Sequence, residues 1–267
     1  CHGGGDFDTM DGINAIQKMS AYHLSKGTTS LLATTWTSSF EHTHTALKDF
    51  NSLINISSNL IGVHLEGPFI NPKKLGAQPD LTIKPSIDFI NKINEIAEIK
   101  TITLAPEIEG MEKFISFLID QNINVQFGHT LADSKTCEKY MTSNDVSFTH
   151  LYNAMSDNHH RNPGVLSSAL NNGKFAEIIC DLNHVSEESI LIAKKCIPDL
   201  YAITDSIAAS GMKDGGYKFA NVEIEKKDNK VYLNGTNTLA GSVVNMHDTF
   251  LNLLKMKISI QDAVRMT

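Results

Sequence analysis

The chain has 267 residues and a net charge of −7 from 23 basic and 30 acidic side chains, with no basic block, which argues against a nucleic-acid groove or an anionic membrane surface. Hydrophobic residues make up 41% and charged residues 20%, so a sizeable core is possible and wholesale disorder is excluded. No apolar run reaches the roughly 18–20 residues that span a bilayer and no signal-peptide pattern is present. The four cysteines (Cys1, Cys137, Cys180, Cys196) form no CxxC pair, which predicts a reduced, cytoplasmic protein. Arg161 and Arg265 are the two arginines in a chain that otherwise uses lysine, and such positions suit tasks that need a guanidinium.

In chain order, Cys1-His2-Gly3-Gly4-Gly5 puts residues of a functional kind at the first positions. Strands are then predicted over 29–36, 60–66, 100–106, 124–129, 147–151, 175–181 and 200–205. Helical patterns lie between them near 41–54, 86–97, 110–121, 133–142, 163–172 and 186–196. This βα rhythm implies parallel strands joined by right-handed crossovers. Seven strands are visible, and an eighth, placed first, would end at His2; eight such units close an α/β barrel of the TIM-like (β/α)8 kind. A polar Lys227-Asp228-Asn229-Lys230 turn between β-rich runs predicts a hairpin insertion near 217–235 at the barrel mouth. The last residues, from Ile260 to Thr267, read as a helix without a terminating Gly or Pro. Both ends look cut, and the reading is one barrel domain over 1–267.

Side chains alternate along a strand with period 2. His64 and Glu66 therefore share one face and Val63 and Leu65 the other. By the same rule His129 shares its face with Val125 and Phe127, His150 follows Phe148, and Asp205 follows Ile203. Glu66, His129, His150 and Asp205 thus sit at four strand C-termini, which converge on one mouth in a barrel. Two His and one Glu form a common Zn²⁺ set that leaves positions open for water and substrate, and a nearby Asp can take the proton of that water. Each strand-end His taken alone is more simply a structural residue. Glu41-His42-Thr43-His44 resembles a metal-binding pair but starts a helix, where residues i and i+2 do not face each other. His159-His160 is read as solvent-facing loop beside Arg161.

The motifs His64-Leu65-Glu66-Gly67-Pro68-Phe69, Ala105-Pro106-Glu107, Gly128-His129-Thr130, Thr149-His150-Leu151-Tyr152-Asn153-Ala154-Met155, Arg161-Asn162-Pro163-Gly164, Asp181-Leu182-Asn183-His184, Thr204-Asp205-Ser206 and Leu239-Ala240-Gly241-Ser242 follow in one order. Together they resemble the N-acetylglucosamine-6-phosphate deacetylase family of the amidohydrolase superfamily, over essentially the whole chain. The resemblance implies hydrolysis of N-acetylglucosamine 6-phosphate to glucosamine 6-phosphate and acetate, in amino-sugar metabolism. It implies a divalent metal held by Glu66, His129 and His150, with Zn²⁺ the expected ion and iron or another transition metal the alternative, and Asp205 as acid/base. It implies substrate contacts from Asn153, the backbone near Ala154, Arg161, His184, Leu239 and Ala240. In the family the arginine matching Arg161 reaches the neighbouring subunit's site, so a homodimer acting on a small sugar phosphate is implied.

Three departures accompany the resemblance. The family's small β-sandwich, built from both chain ends, is absent here, as is most of the first barrel strand. Some members hold a second metal with HxH at the end of that strand; here His2 is the one such histidine, so one or two ions per subunit are implied. Where some members place a carbonyl-polarising histidine, this chain has Gln78, which donates a hydrogen bond but never a positive charge. That favours a second metal as electrophile. Two rival readings stand beside this one: another amidohydrolase, such as a cyclic-amide hydrolase or deaminase, and a non-catalytic piece that retains the residues.

Overall fold

The computed structural model describes residues 1–141, 146–220 and 222–267. Residue 142, the end of one predicted helix, and residue 221 of the predicted hairpin lie outside them. In chain order the elements are β1 (Gly3–Gly4), β2 (Phe7–Asp8), α1 (Ile13–Ser25), β3 (Leu31–Thr35), α2 (Phe40–Leu47), α3 (Phe50–Ile54) and β4 (Leu60–Glu66). Then come α4 (Ile87–Asn94), β5 (Ile99–Leu104), α5 (Met111–Asp120), β6 (Asn124–Phe127), α6 (Ser134–Met141), β7 (Ser147–Phe148), α7 (Val165–Asn172), β8 (Phe175–Ile179), α8 (Glu187–Cys196) and β9 (Asp199–Ile203). β10 (Gly215–Phe219), β11 (Val222–Lys227), β12 (Lys230–Leu233), α9 (Met246–Lys255) and α10 (Ile260–Met266) complete the chain.

Local chemistry starts the helices where they start. Ser39, Ser86, Ser186, Asn245 and Ser259 each accept a hydrogen bond from the backbone N–H three residues on, capping α2, α4, α8, α9 and α10. Inward residues recur at helical spacing, as with Phe89, Ile90 and Ile93 on α4 and Met111, Phe114, Ile115 and Leu118 on α5. The predicted helix over 41–54 is two helices, α2 and α3, because Asp49 takes a left-handed conformation (φ +64°) between them. α1 and α9 lie outside the predicted helices.

Strands β3 to β7 pair in parallel in sequence order, and β8 pairs with β9 in parallel. Main-chain bonds close the remaining gaps. Leu151 N donates to Glu177 O (2.8 Å) beside β7 and β8. His2 N and Gly3 N donate to Ser206 O (2.9 and 2.8 Å), and Thr34 N donates to Cys1 O (2.9 Å). The first residues therefore fill the place between β9 and β3, and the predicted (β/α)8 barrel closes with eight staves.

The two faces of the strands differ in chemistry. Val63, Leu65, Ile102, Leu104, Val125, Phe127, Ile178, Leu200 and Ala202 join the helices in one large buried apolar cluster. The alternate residues His64, Glu66, Thr101, Thr103, Gln126 and Glu177 are also buried, and they are polar. The barrel interior thus carries polar groups where branched aliphatic residues are the usual filling.

The insertion is a three-stranded antiparallel sheet, β10-β11-β12, rather than a single hairpin. Asp228 and Asn229, both at positive φ (50° and 60°), make the tight β11–β12 turn. Phe219, Ile224 and Val231 pack this sheet on Met10, Trp36 and Ile207 at the barrel mouth. Among the described residues no helix is long and apolar enough to cross a membrane.

Candidate active site

Glu66 ends β4, and a turn at Gly67 follows at once. A Cβ on Gly67 would lie 2.1 Å from Thr37 Oγ1, and its φ is +75°, so both space and backbone require glycine. His129, His150 and Asp205 stand just beyond β6, β7 and β9 with φ of +48°, +30° and +45°. These left-handed turns change the alternation reading. Val125, Phe127 and Phe148 belong to the outer, helix-facing cluster, and strict period 2 would send His129 and His150 there too. The turns bring both imidazoles into the barrel mouth instead, where they line a cavity of about 460 Å³ with His2, Glu66 and Asp205.

The donor atoms converge. His129 Nε2 lies 2.9 Å from Glu66 Oε1 and 3.0 Å from His150 Nε2, and His150 Nε2 lies 3.4 Å from Glu66 Oε1. His129 Nδ1 is 2.7 Å from the Lys74 carbonyl; a carbonyl only accepts, so Nδ1 carries a proton and Nε2 is the atom turned toward the carboxylate. Lone pairs facing one another at this range repel unless a cation or an added proton lies between them. A tetrahedral Zn²⁺ spaces its N and O ligands about 3.3 Å apart, close to the edges of this triangle, so the residues fit a metal. Glu66 Oε2 belongs to a second group: His2 Nε2 lies 3.5 Å from it and 3.5 Å from Asp205 Oδ1. Both triads, Glu66/His129/His150 and His2/Glu66/Asp205, have the spacing of metal-ligand clusters.

Burial alone would raise the Glu66 carboxyl. The charge of His2 and hydrogen bonds with His129, His150 and His2 outweigh it and hold Glu66 well below the usual carboxylate range. Burial likewise opposes charge on His150, but Glu66 carries it up to about 9. For His64 burial outweighs the pull of the Glu66 charge and takes it down to about 3, a neutral imidazole inside the barrel.

Gln78 is buried. Its amide nitrogen donates to Glu66 Oε1 (3.0 Å) and its oxygen accepts from Thr37 N. Asn153, Ala154, His184 and Leu239 line the cavity. Asp181 accepts from His184 Nδ1 at 2.7 Å, which fixes the ring and leaves Nε2 for a ligand. Ala240 is fully buried in the smaller apolar cluster and does not line the cavity. Arg161 is exposed, beside His160 Nε2 (2.7 Å), and is likewise not part of the lining. The His42 and His44 rings pack against Trp36 and Phe40 and belong to neither ligand group.

Three features escaped sequence reasoning. Lys73 and Lys74 line the cavity; the signal available was a cationic pair in the loop that follows the Gly-Pro-Phe turn, just after Ile70-Asn71-Pro72. Phe219 of β10 stands edge-on to His2 at 5.4 Å, a contact no local pattern announces. Glu107 accepts from Asn71 Nδ2 (2.7 Å), Thr130 Oγ1 (2.6 Å) and Leu131 N (2.7 Å), clamping the loops after β4 and β6 together.

No protein-family profile matches the chain. It is 38% identical to the N-acetylglucosamine-6-phosphate deacetylase of Bacillus subtilis over 260 residues, which is 92% of this chain and 65% of that protein. It is 30% identical to the deacetylase of the same name from Lysinibacillus sphaericus, over 100% of this chain and 71% of that one. Among solved structures, a mutant N-acetyl-D-glucosamine-6-phosphate deacetylase from Mycobacterium smegmatis, in complex with N-acetyl-D-glucosamine-6-phosphate, superposes with a TM-score of 0.92 at 27% identity. That match covers 99% of this chain and 71% of the other.

Proposed function

The chain belongs to the N-acetylglucosamine-6-phosphate deacetylase family of amidohydrolases, and from that membership we propose that it hydrolyses N-acetylglucosamine 6-phosphate to glucosamine 6-phosphate and acetate. An amide is a poor electrophile and an amine a poor leaving group. The site must therefore make hydroxide at neutral pH, polarise the carbonyl and protonate the departing nitrogen.

Glu66, His129 and His150 would hold one divalent ion, with Zn²⁺ suited to two imidazoles and a carboxylate. His2, the other Glu66 oxygen and Asp205 would hold a second. Bound there, such ions supply acidified water and positive charge for the developing oxyanion. Asp205, partly open to the cavity, takes the water's proton and returns it to the sugar nitrogen. Gln78 is engaged by Glu66 and Thr37, so its part is to hold the Glu66 carboxylate, and an ion held by His2, Glu66 and Asp205 would supply the charge that polarises the carbonyl. His184, braced by Asp181, and Asn153 orient the sugar phosphate. Arg161 lies outside its own chain's cavity and serves a partner's site in a homodimer, where its planar fork suits a phosphate. With four cysteines in no disulfide the setting is a reducing cytoplasm.

The observation that carries this reading is the division of Glu66: one carboxylate oxygen meets His129 and His150, the other meets His2. The test is acetate release from N-acetylglucosamine 6-phosphate after reconstitution with Zn²⁺, with unphosphorylated N-acetylglucosamine, dihydroorotate and adenine as comparison substrates. Turnover confined to dihydroorotate or adenine would move the chain to another amidohydrolase activity. No turnover of any of them would favour the non-catalytic reading.

A further inference from the structure

Beneath the metal donors six polar side chains form one hydrogen-bonded line across the barrel interior, and the hydrolysis scheme uses none of them. His64 Nε2 lies 2.7 Å from Thr103 Oγ1, which lies 2.7 Å from Thr149 Oγ1, which lies 3.0 Å from Gln126 Oε1. The Gln126 amide nitrogen donates to Glu177 Oε1 (3.1 Å) and to the Tyr201 hydroxyl (3.0 Å), and that hydroxyl donates to the same carboxylate oxygen (3.3 Å). The strand register places these residues side by side: Thr103 faces Gln126, and Glu177 faces Tyr201.

The line has a direction. Because Gln126 donates through its nitrogen to Glu177, its oxygen faces Thr149, so Thr149 is the donor there. Thr149 then accepts from Thr103, and Thr103 accepts from His64 Nε2–H. Each hydrogen bond points toward Glu177. Buried polarity of this extent is tolerated only when its members are matched, and here they are matched in series.

The line ends on the segment that carries a metal donor. Glu177 Oε2 accepts from the His150 main-chain N–H at 3.4 Å. The Glu177 main-chain carbonyl accepts from Leu151 N–H at 2.8 Å, and Thr149 is a member of the line. Three consecutive residues centred on His150 are anchored this way, at a φ of +30° that a non-glycine residue keeps only with outside support.

We propose that Glu177 is a positioning residue which, at the end of this directed chain, holds the His150 backbone so that its imidazole meets the metal. The proposal rests on the deacetylase reading for the identity of the metal ligands. The test uses the whole 267-residue chain, stripped of metal, with Zn²⁺ affinity read by chelator competition and Co²⁺ absorption recorded alongside. Glu177→Leu should weaken Zn²⁺ binding roughly 10–100-fold, the usual effect of losing a partner behind a ligand, and shift the Co²⁺ bands. Glu177→Gln, which still offers an oxygen to His150 N–H, should recover most of the loss.

A Glu177→Leu protein that melts earlier but binds Zn²⁺ and Co²⁺ as the wild type does would overturn the proposal. Should that variant fail to fold, Thr149→Val decides, since it keeps the shape and breaks the line: several-fold weaker Zn²⁺ binding supports the proposal and unchanged binding overturns it. A wild-type chain with no affinity for divalent ions sinks the deacetylase reading and this inference with it. Wild-type affinity shared by all variants sinks this inference alone.

Discussion

Asp205 is the residue whose loss separates chemistry from metal binding. Asp205→Asn keeps the side chain's size and removes the proton acceptor, so kcat should fall by roughly 10²–10⁴-fold. One tight metal per chain should remain, because Glu66, His129 and His150 stand together without it; metal content measured beside turnover checks this. Asp8 makes a different point. It accepts from Met10 N (2.8 Å) and Trp36 Nε1 (3.1 Å), yet burial raises its carboxyl to about 6 from an ordinary 3.8. A raised carboxyl means that the folded state holds the proton more tightly than the unfolded state, so stability is lost as pH rises from about 4 to 6, by about 3 kcal/mol. Asp8→Asn retains the accepting oxygen and cannot ionise. The variant's stability should therefore gain on the wild type by that amount across the window in chemical denaturation, and parallel curves would show that Asp8 does not titrate there. These residues differ in how legible they were. Glu66, His129, His150 and Asp205 announce themselves at strand ends, whereas Asp8 and Glu107 matter through partners far away in sequence.

The strands were legible because most of their outward residues are apolar, and α2, α4, α8 and α10 because a Ser cap precedes apolar residues at helical spacing. α1 was not, since its inward face includes Ser20, bonded to Asn59 Oδ1 (2.6 Å), and His23, bonded to the Gly3 carbonyl (3.0 Å). Polar residues on the packed side erase the amphipathic pattern. The strand ends misled for another reason: alternation holds only while the backbone stays extended, and His129 and His150 leave it. Gly128, between Phe127 and His129, makes this element-level constraint testable. A Cβ there would lie 2.8 Å from Thr149 Cβ and 2.9 Å from Thr103 Cγ2, both fully buried, so β5 and β7 must separate to admit it. Gly128→Ala should cost about 1–3 kcal/mol and weaken metal binding. Gly216→Ala on β10 meets nothing within 4 Å and should stay within about 0.5 kcal/mol. Thermal melts of the two variants, side by side, distinguish local crowding from a general intolerance of glycine replacement.

At the scale of the whole molecule, closure of the barrel depends on contacts between distant parts of the chain. Residues 1–4 reach both β3 and the end of β9, the place that counting βα units assigns to a first strand ending at His2. Assembly beyond one chain is the next step of the same kind. The cavity is lined by His184 and Asn153 but not by Arg161, so in the proposed dimer the Arg161 phosphate contact would be made at a neighbour's site. If so, defects in Arg161 and Asp205 belong to different sites of one dimer. Arg161→Ala and Asp205→Asn chains, each nearly inactive alone, should recover about a quarter of wild-type activity when mixed in equal amounts and allowed to exchange. Random pairing makes half the dimers mixed, and each mixed dimer holds one intact site of two. An arginine acting within its own chain leaves every site of every mixture defective, so activity would stay at the level of the separate variants. Exchange would be confirmed first by mass measurement of differently tagged chains, so that absent recovery reads on Arg161 and not on a failure to mix.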